Sequence, residues 1–309
     1  MRDCFCPTIH GPEFQIPDLK SEIALPPGTP FPYTPAVPQF THDGIQFHYR
    51  DEGSGQPFFF QHGLGADVTQ PFGLFKPPAG FRLIAFDVRG HGLTRPLGDP
   101  AKLCFRVFGE DLAALMDHLG IERAIVGGIS MGAALALHVA VRWPARVAGL
   151  VLSRPAWLEA PCPWNVNMFT LVSELIRKHG AQGGLVEFQK TPDYLEALAN
   201  WPDVANSLSS QFQNPRVEET ASKLERIIKD TPHPDRAGWA AVRAPSLVMG
   251  NRRDPVHPIE YAGELARTIP GAEFRELTSK SVSVEQHGAD VQRELAEFVS
   301  RHFLKIAPR

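Results

Sequence analysis

The stretch Ala124-Ile125-Val126-Gly127-Gly128-Ile129-Ser130-Met131-Gly132-Ala133-Ala134 reads as a strand, a tight turn and the start of a helix. Ser130 falls on the turn. A serine in that place stands on a sharp bend, and Gly128 and Gly132 leave room for the strand and helix to approach closely. The helix N-terminus directs free N–H groups and the positive end of its dipole at whatever Ser130 attacks. Gly-x-Ser-x-Gly alone is a weak signal, since both residue types are common. Its value here comes from the apolar strand before it and the small-residue helix after it.

Working outward, short β-rich runs alternate with helical ones. The runs are Ile45–Tyr49, Phe58–Phe60, Leu83–Phe86, Ala124–Gly128, Ala148–Leu152, Ser246–Gly250 and Glu273–Leu277. Several are solidly apolar, as strands covered on both faces should be. Phe105–Leu119 carries Phe108, Leu112, Leu115, Met116 and Leu119 at helical spacing. Ala133–Trp143 ends at Pro144, Ile259–Thr268 ends before Pro270-Gly271, and a last helix is expected over about 289–303. The alternation predicts an α/β fold, a mostly parallel central sheet with helices on both faces. One stretch interrupts it. Residues 155–239 are helical in pattern, without a clear strand, and hold four of the five tryptophans. They are expected to form a helical cap inserted between two strands, splitting the core into 41–154 and 240–309.

Composition narrows the function classes. The 309 residues are 43% apolar and 21% charged, with 31 basic against 34 acidic side chains and a net charge of −3. Without a concentrated basic face, neither nucleic acid nor an anionic membrane is an expected partner. No apolar window is long enough to span a membrane. Four cysteines (Cys4, Cys6, Cys104, Cys162) are too few for a disulfide scaffold, and the N-terminus has no signal-like apolar run. A cytoplasmic setting is therefore expected. Proline is abundant, at 29 residues, and nine of these lie in residues 1–40, which read as an extended, proline-rich N-terminal segment. Cys4-x-Cys6 with His10 is too thin a ligand set for metal, so no metal is expected.

Three further segments carry chemistry. Phe58–Gln61 runs into His62-Gly63-Leu64-Gly65, a turn able to present backbone N–H groups to an oxyanion. Phe86-Asp87-Val88-Arg89-Gly90-His91-Gly92 is a polar, glycine-rich turn whose charges should pin loops together. Met249-Gly250-Asn251-Arg252-Arg253-Asp254-Pro255-Val256-His257-Pro258 follows a strand. With the Ser130 segment, their order and spacing resemble the α/β-hydrolase superfamily, from about residue 41 to the C-terminus.

That resemblance implies a catalytic triad in the chain order Ser130, Asp254, His287. The serine is the nucleophile, the histidine its base and the aspartate the orienting acid. It implies oxyanion N–H groups on Leu64 and Met131, and a variable cap over residues 155–239. The alternative acid position, after the strand ending at Leu152, holds Ser153-Arg154 and no carboxylate. His287 departs from the family pattern. Gln286 rather than glycine precedes it, and a long polar link, residues 278–285, separates it from the last strand. His257 is a rival, but three residues from Asp254 on one loop is expected to be too local to bridge acid and nucleophile. In the cap, Trp157, Trp164, Met168 and Phe169 are expected to line an apolar substrate pocket. The implied activity is cofactor-independent hydrolysis of a carboxylic ester or related acyl bond of a small molecule. Lactone, thioester, amide or carbon–carbon hydrolysis, perhydrolysis, and non-catalytic ligand binding are the alternatives. Dehalogenases and epoxide hydrolases of this fold use an aspartate where Ser130 stands. The sequence does not indicate an oligomeric state.

Overall fold

In the computed structural model, which describes residues 38–161 and 163–304, the apolar runs pair into one eight-stranded sheet. Its strands are β1 (Gln39–His42), β2 (Ile45–Gly53), β3 (Gln56–Gln61), β4 (Phe81–Phe86), β5 (Ala124–Ile129), β6 (Val147–Ser153), β7 (Ser246–Gly250) and β8 (Glu273–Glu276). The order across the sheet is β1-β2-β4-β3-β5-β6-β7-β8. β1 and β2 run antiparallel to their neighbours, and β4, β3, β5, β6, β7 and β8 pair in parallel. This is the mostly parallel sheet that the strand–helix alternation predicts.

The central strands are apolar throughout because both their faces are covered. Alternate residues of one strand enter different cores, as the two-residue period demands. Phe59, Ile84, Val126 and Leu150 face one core, and Phe58, Leu83, Ile125 and Val151 face the other. The first core is closed by α2 (Phe105–His118) and α3 (Met131–Arg142) and is shared with the cap helices. The second is closed by the short α1 (Thr69–Leu74) and the long C-terminal helix Val284–Phe303.

β1 is an element the sequence reading overlooked, because Phe40 stands beside the proline-rich run. Asp43-Gly44 explains it. Both residues have positive φ, at 50° and 72°, the two-residue turn whose twist suits a hairpin. The core therefore begins by Gln39 rather than at 41. The expectations for the other residues up to 37, including Cys4, Cys6 and His10, and for Cys162 lie outside the described residues.

Between β6 and β7 the described residues form α4 (Asn167–Phe188), α5 (Pro192–Asn200), α6 (Pro202–Phe212), α7 (Val217–Ile227) and α8 (Arg236–Ala240), with no strand. Pro192 and Pro202 stand at helix starts, where a missing N–H costs nothing. α9 (Ile259–Thr268) and α10 (Val284–Phe303) are the last helices among the described residues. No described helix is long and apolar enough to cross a membrane.

The tightest packing lies at the turn between β5 and α3. A Cβ on Gly128 would collide with the Gly132 backbone, and a Cβ on Gly132 with the Gln61 carbonyl. Only bare backbone fits there. Gly132→Ala should therefore destabilise the protein by about 2–3 kcal/mol, read as a lower urea midpoint at unchanged slope. Gly73→Ala, with nothing within 4 Å of its added Cβ, is the control. Equal midpoints for the two variants would refute this account of the turn.

Candidate active site

Ser130 occupies that turn with φ 56° and ψ −110°, a backbone conformation a non-glycine residue holds only when its surroundings enforce it. The enforcement is visible. Its N–H donates to the Ser153 carbonyl on β6 at 2.9 Å, and its own carbonyl accepts from Ala133 and Ala134 in the first turn of α3. The residue is half-buried and lines a cavity of about 360 Å³ between the sheet and the cap. The core side of that cavity includes Leu64, Arg154, His257 and Lys280, and the cap side includes Phe169 from α4 and Val204 and Leu208 from α6. Leu64 is thus at the cavity wall. Met131 is the first residue of α3, so its N–H is among the donors a helix leaves free.

The loops beside the cavity are fixed by buried polar groups. His62 donates from Nδ1 to the Gly63 carbonyl at 2.8 Å, and its Nε2 accepts from the Val88 N–H at 3.1 Å. Burial pushes its pKa down, which suits a neutral ring used as a strut. Asp87 accepts from the N–H groups of Val68 and Leu93 at 2.8 and 2.7 Å, and from His48 Nδ1 at 2.7 Å. Arg89 donates to both Asp111 oxygens at 2.6 and 2.7 Å. The Asp87–Gly92 turn therefore ties loops together, and neither His62 nor His91 lines the cavity.

Asp254, buried on the loop after β7, is the most heavily engaged carboxylate among the described residues. Its Oδ1 accepts the N–H groups of Val256 and His257 at 3.2 and 3.1 Å, and its Oδ2 accepts Arg154 Nε and Nη2 at 3.1 and 2.6 Å. His257 Nδ1 lies 3.0 Å from each oxygen. Burial disfavours the charged carboxylate, yet the positive charge and hydrogen bonds of His257 and Arg154 outweigh it and hold the pKa well below the usual range. Arg154 Nη2 also lies 3.0 Å from His257 Nδ1. Because Nη2 has its short bond to Oδ2, we assign the Nδ1 proton to the Asp254 bond. That tautomer leaves a lone pair on Nε2, which has no protein partner among the described residues.

The structure does not bring His287 to Asp254. Its ring is buried, and Nδ1 donates instead to the Thr278 carbonyl at 2.8 Å. The cause is the start of α10, which comes five residues earlier than expected. Ser283 accepts from the Gln286 N–H at 3.1 Å and caps the helix. His287 consequently sits in the first turn, its N–H on the Ser283 carbonyl, and not in a loop over the cavity. The spacing Ser283-x-x-Gln286 is a capping-box signal that would have located this boundary. Burial, with Arg154 nearby, pushes the His287 pKa down to about 4. His257, set aside as too local, is the histidine on Asp254. The Asp254 carboxylate folds back over its own turn, and that brings residue 257 to it.

Of the expected pocket aromatics, Phe169 alone lines the cavity. Trp157 is buried in the core with its ring 5.5 Å from that of Phe105, Trp164 is 65% exposed at the surface, and Met168 packs against the core outside the cavity wall. Sequence reasoning noted Arg154 only as a missing acid and did not single out Lys280.

Comparison with known proteins agrees with this architecture. The family model described as the alpha/beta hydrolase fold matches residues 56–284. The chain is similar to the AB hydrolase superfamily protein YisY of Bacillus subtilis (28% identity, covering 76% of this chain and 87% of that protein). It is also similar to the non-heme chloroperoxidase CPO-A1 of Kitasatospora aureofaciens (26%, covering 84% and 98%). Among solved structures, the enol-lactonase of Burkholderia xenovorans LB400 superposes with a TM-score of 0.65 at 24% identity, covering 85% of this chain and 100% of that one. The chain belongs to the alpha/beta-hydrolase family.

Proposed function

We propose that the chain is a serine hydrolase that cleaves a carboxylic ester or related acyl bond of a small molecule, with Ser130 as nucleophile. The observation that carries this reading is the shared cavity. Ser130, on its strained turn at the α3 N-terminus, and His257, hydrogen-bonded to an ionised Asp254, both line it.

In the proposed reaction Ser130 Oγ attacks the acyl carbonyl, and His257 Nε2 takes its proton. Asp254 orients the imidazole and balances the imidazolium that forms. The N–H groups of Leu64 and Met131 receive the oxyanion. His257 returns the proton to the leaving alcohol; the same nitrogen then deprotonates a water that attacks the acyl-enzyme, and it passes that proton to Ser130 Oγ as the acid is released. No cofactor is required by these steps. His287 is proposed as a positioning residue: its bond to the Thr278 carbonyl holds the chain that leads to Lys280. The relatives' names span a chloroperoxidase and an enol-lactonase, so bond type is left open among esters, lactones and related acyl groups. A cytoplasmic setting, argued from the cysteine content, belongs to the same proposal.

Two measurements test this reading. Ser130→Ala should lower kcat for p-nitrophenyl acetate or butyrate by at least about 10³-fold while the far-UV spectrum stays unchanged. Undiminished turnover would remove Ser130 from the chemistry. The second is the pH profile of kcat/KM. Burial lowers the His257 pKa below its ordinary 6.5, against the opposing pull of Asp254. A base must be unprotonated, so activity should hold through neutral pH and fall only below about 6.5. An acid limb near 8, the value to which burial pushes Lys280, would assign the proton transfer to Lys280 instead.

A further inference from the structure

The cavity beside Ser130 carries positive charge that the reaction above leaves unused. Lys280, in the link between β8 and α10, lines the cavity, and among the described residues its Nζ has neither a hydrogen-bond nor an ion-pair partner. Arg154 lines it too. Its Nε and Nη2 are engaged by Asp254, and among the described residues its Nη1 has no partner. The two nearby carboxylates do not take up these donors. Asp254 is occupied by Arg154, His257 and two backbone N–H groups. Asp203, at the start of α6, accepts from Ser281 Oγ at 2.7 Å and forms no ion pair with Lys280. Phe169, Val204, Leu208, Val256 and Val284 supply apolar wall, and Gln70, Asn206 and Ser207 add uncharged polar groups.

An ammonium partly withdrawn from water, with Asp203 and Asp254 acting on it only from a distance and no carboxylate paired with it directly, is incompletely compensated, and a ligand anion would relieve it. Burial and the neighbouring Arg154 push the Lys280 pKa down to about 8. The lysine therefore remains mostly charged at neutral pH and available to an anion. The free Arg154 edge offers a second donor to the same group. Asp203 on the cavity wall disfavours a doubly charged phosphate, which leaves a monoanion as the better fit.

We propose that Lys280 and the free edge of Arg154 form a carboxylate-binding subsite, so that the acyl substrate carries a second, ionised carboxylate beside the bond that is cut. The proposal rests on the reading of Ser130 as nucleophile. It adds a substrate class: monoesters or lactones of dicarboxylic acids in preference to simple alkanoate esters.

The test compares mono-p-nitrophenyl glutarate, which is anionic, with p-nitrophenyl valerate, a neutral ester of the same acyl length. In the wild-type protein kcat/KM should favour the glutarate ester. In Lys280→Met, which keeps the side-chain stem, the ratio should fall by about 10- to 100-fold, chiefly through KM, and Lys280→Arg should restore much of it. A ratio unmoved by Lys280→Met overturns the proposal. Equal loss on both esters overturns it too, because Lys280 would then serve the reaction and not the substrate carboxylate. If neither ester is turned over, titration of the full-length protein with free glutarate decides. Saturable binding that Lys280→Met abolishes supports the subsite while the hydrolase reading fails, and absence of binding overturns the subsite.

Discussion

The molecule is organised around a collision that glycine alone avoids. At the end of β5 the chain must turn into α3 while lying against β3, and the Gly128, Gly132 and Gln61 backbones come too close for any Cβ between them. That proximity forces Ser130 to positive φ and bonds its N–H to β6. Holding a non-glycine residue there costs about 1–3 kcal/mol. The surrounding sheet sustains it because β5 is buried along its whole length and paired on both sides. The same geometry sets this strained serine at the N-terminus of a helix and on the wall of the cavity.

A second constraint is electrostatic. The loop after β7 carries a buried carboxylate, and an aspartate so placed stays charged only if its surroundings supply donors and positive charge. Asp254 obtains them from its own turn, from His257 and from Arg154, which reaches across from the end of β6. Position 154 is therefore the counterpart of Asp254. The fold offers one charge position at the end of each of these two neighbouring strands, and here the two hold opposite signs. The outcome is an oriented imidazole beside a cationic patch. That combination is the basis of the acyl chemistry and the anionic substrate proposed above.

Much of this was legible in the sequence, and what was not has physical reasons. The central strand runs were readable because parallel strands covered on both faces are continuously apolar, and the Ser130 turn was readable because glycine is required at fixed offsets. β1 was hidden by neighbouring prolines, although Asp43-Gly44 encodes its hairpin. His287 was expected in a loop over the cavity because α10 was read from its amphipathic middle. Its start depends on the Ser283 cap, a single hydrogen bond, and that one turn of helix moves His287 from a loop over the cavity into the packed interior. His257 was set aside on sequence distance, yet three residues suffice when the aspartate folds back on its own turn. The cap aromatics could not be assigned from composition, since the face a residue presents depends on how the cap helices pack together, and that leaves Phe169 in the cavity and Trp164 at the surface.

The central claim is that the histidine held by Asp254, and not the one on α10, activates Ser130. The rate at which a fluorophosphonate labels the protein, with the modified residue located by mass spectrometry, measures this directly because it reports the nucleophile and its base without any choice of substrate. The account predicts modification at Ser130, slowed about 10²- to 10⁴-fold by His257→Ala and far less by His287→Gln. Labelling of a different serine, or a rate that falls with His287→Gln and not with His257→Ala, would contradict it.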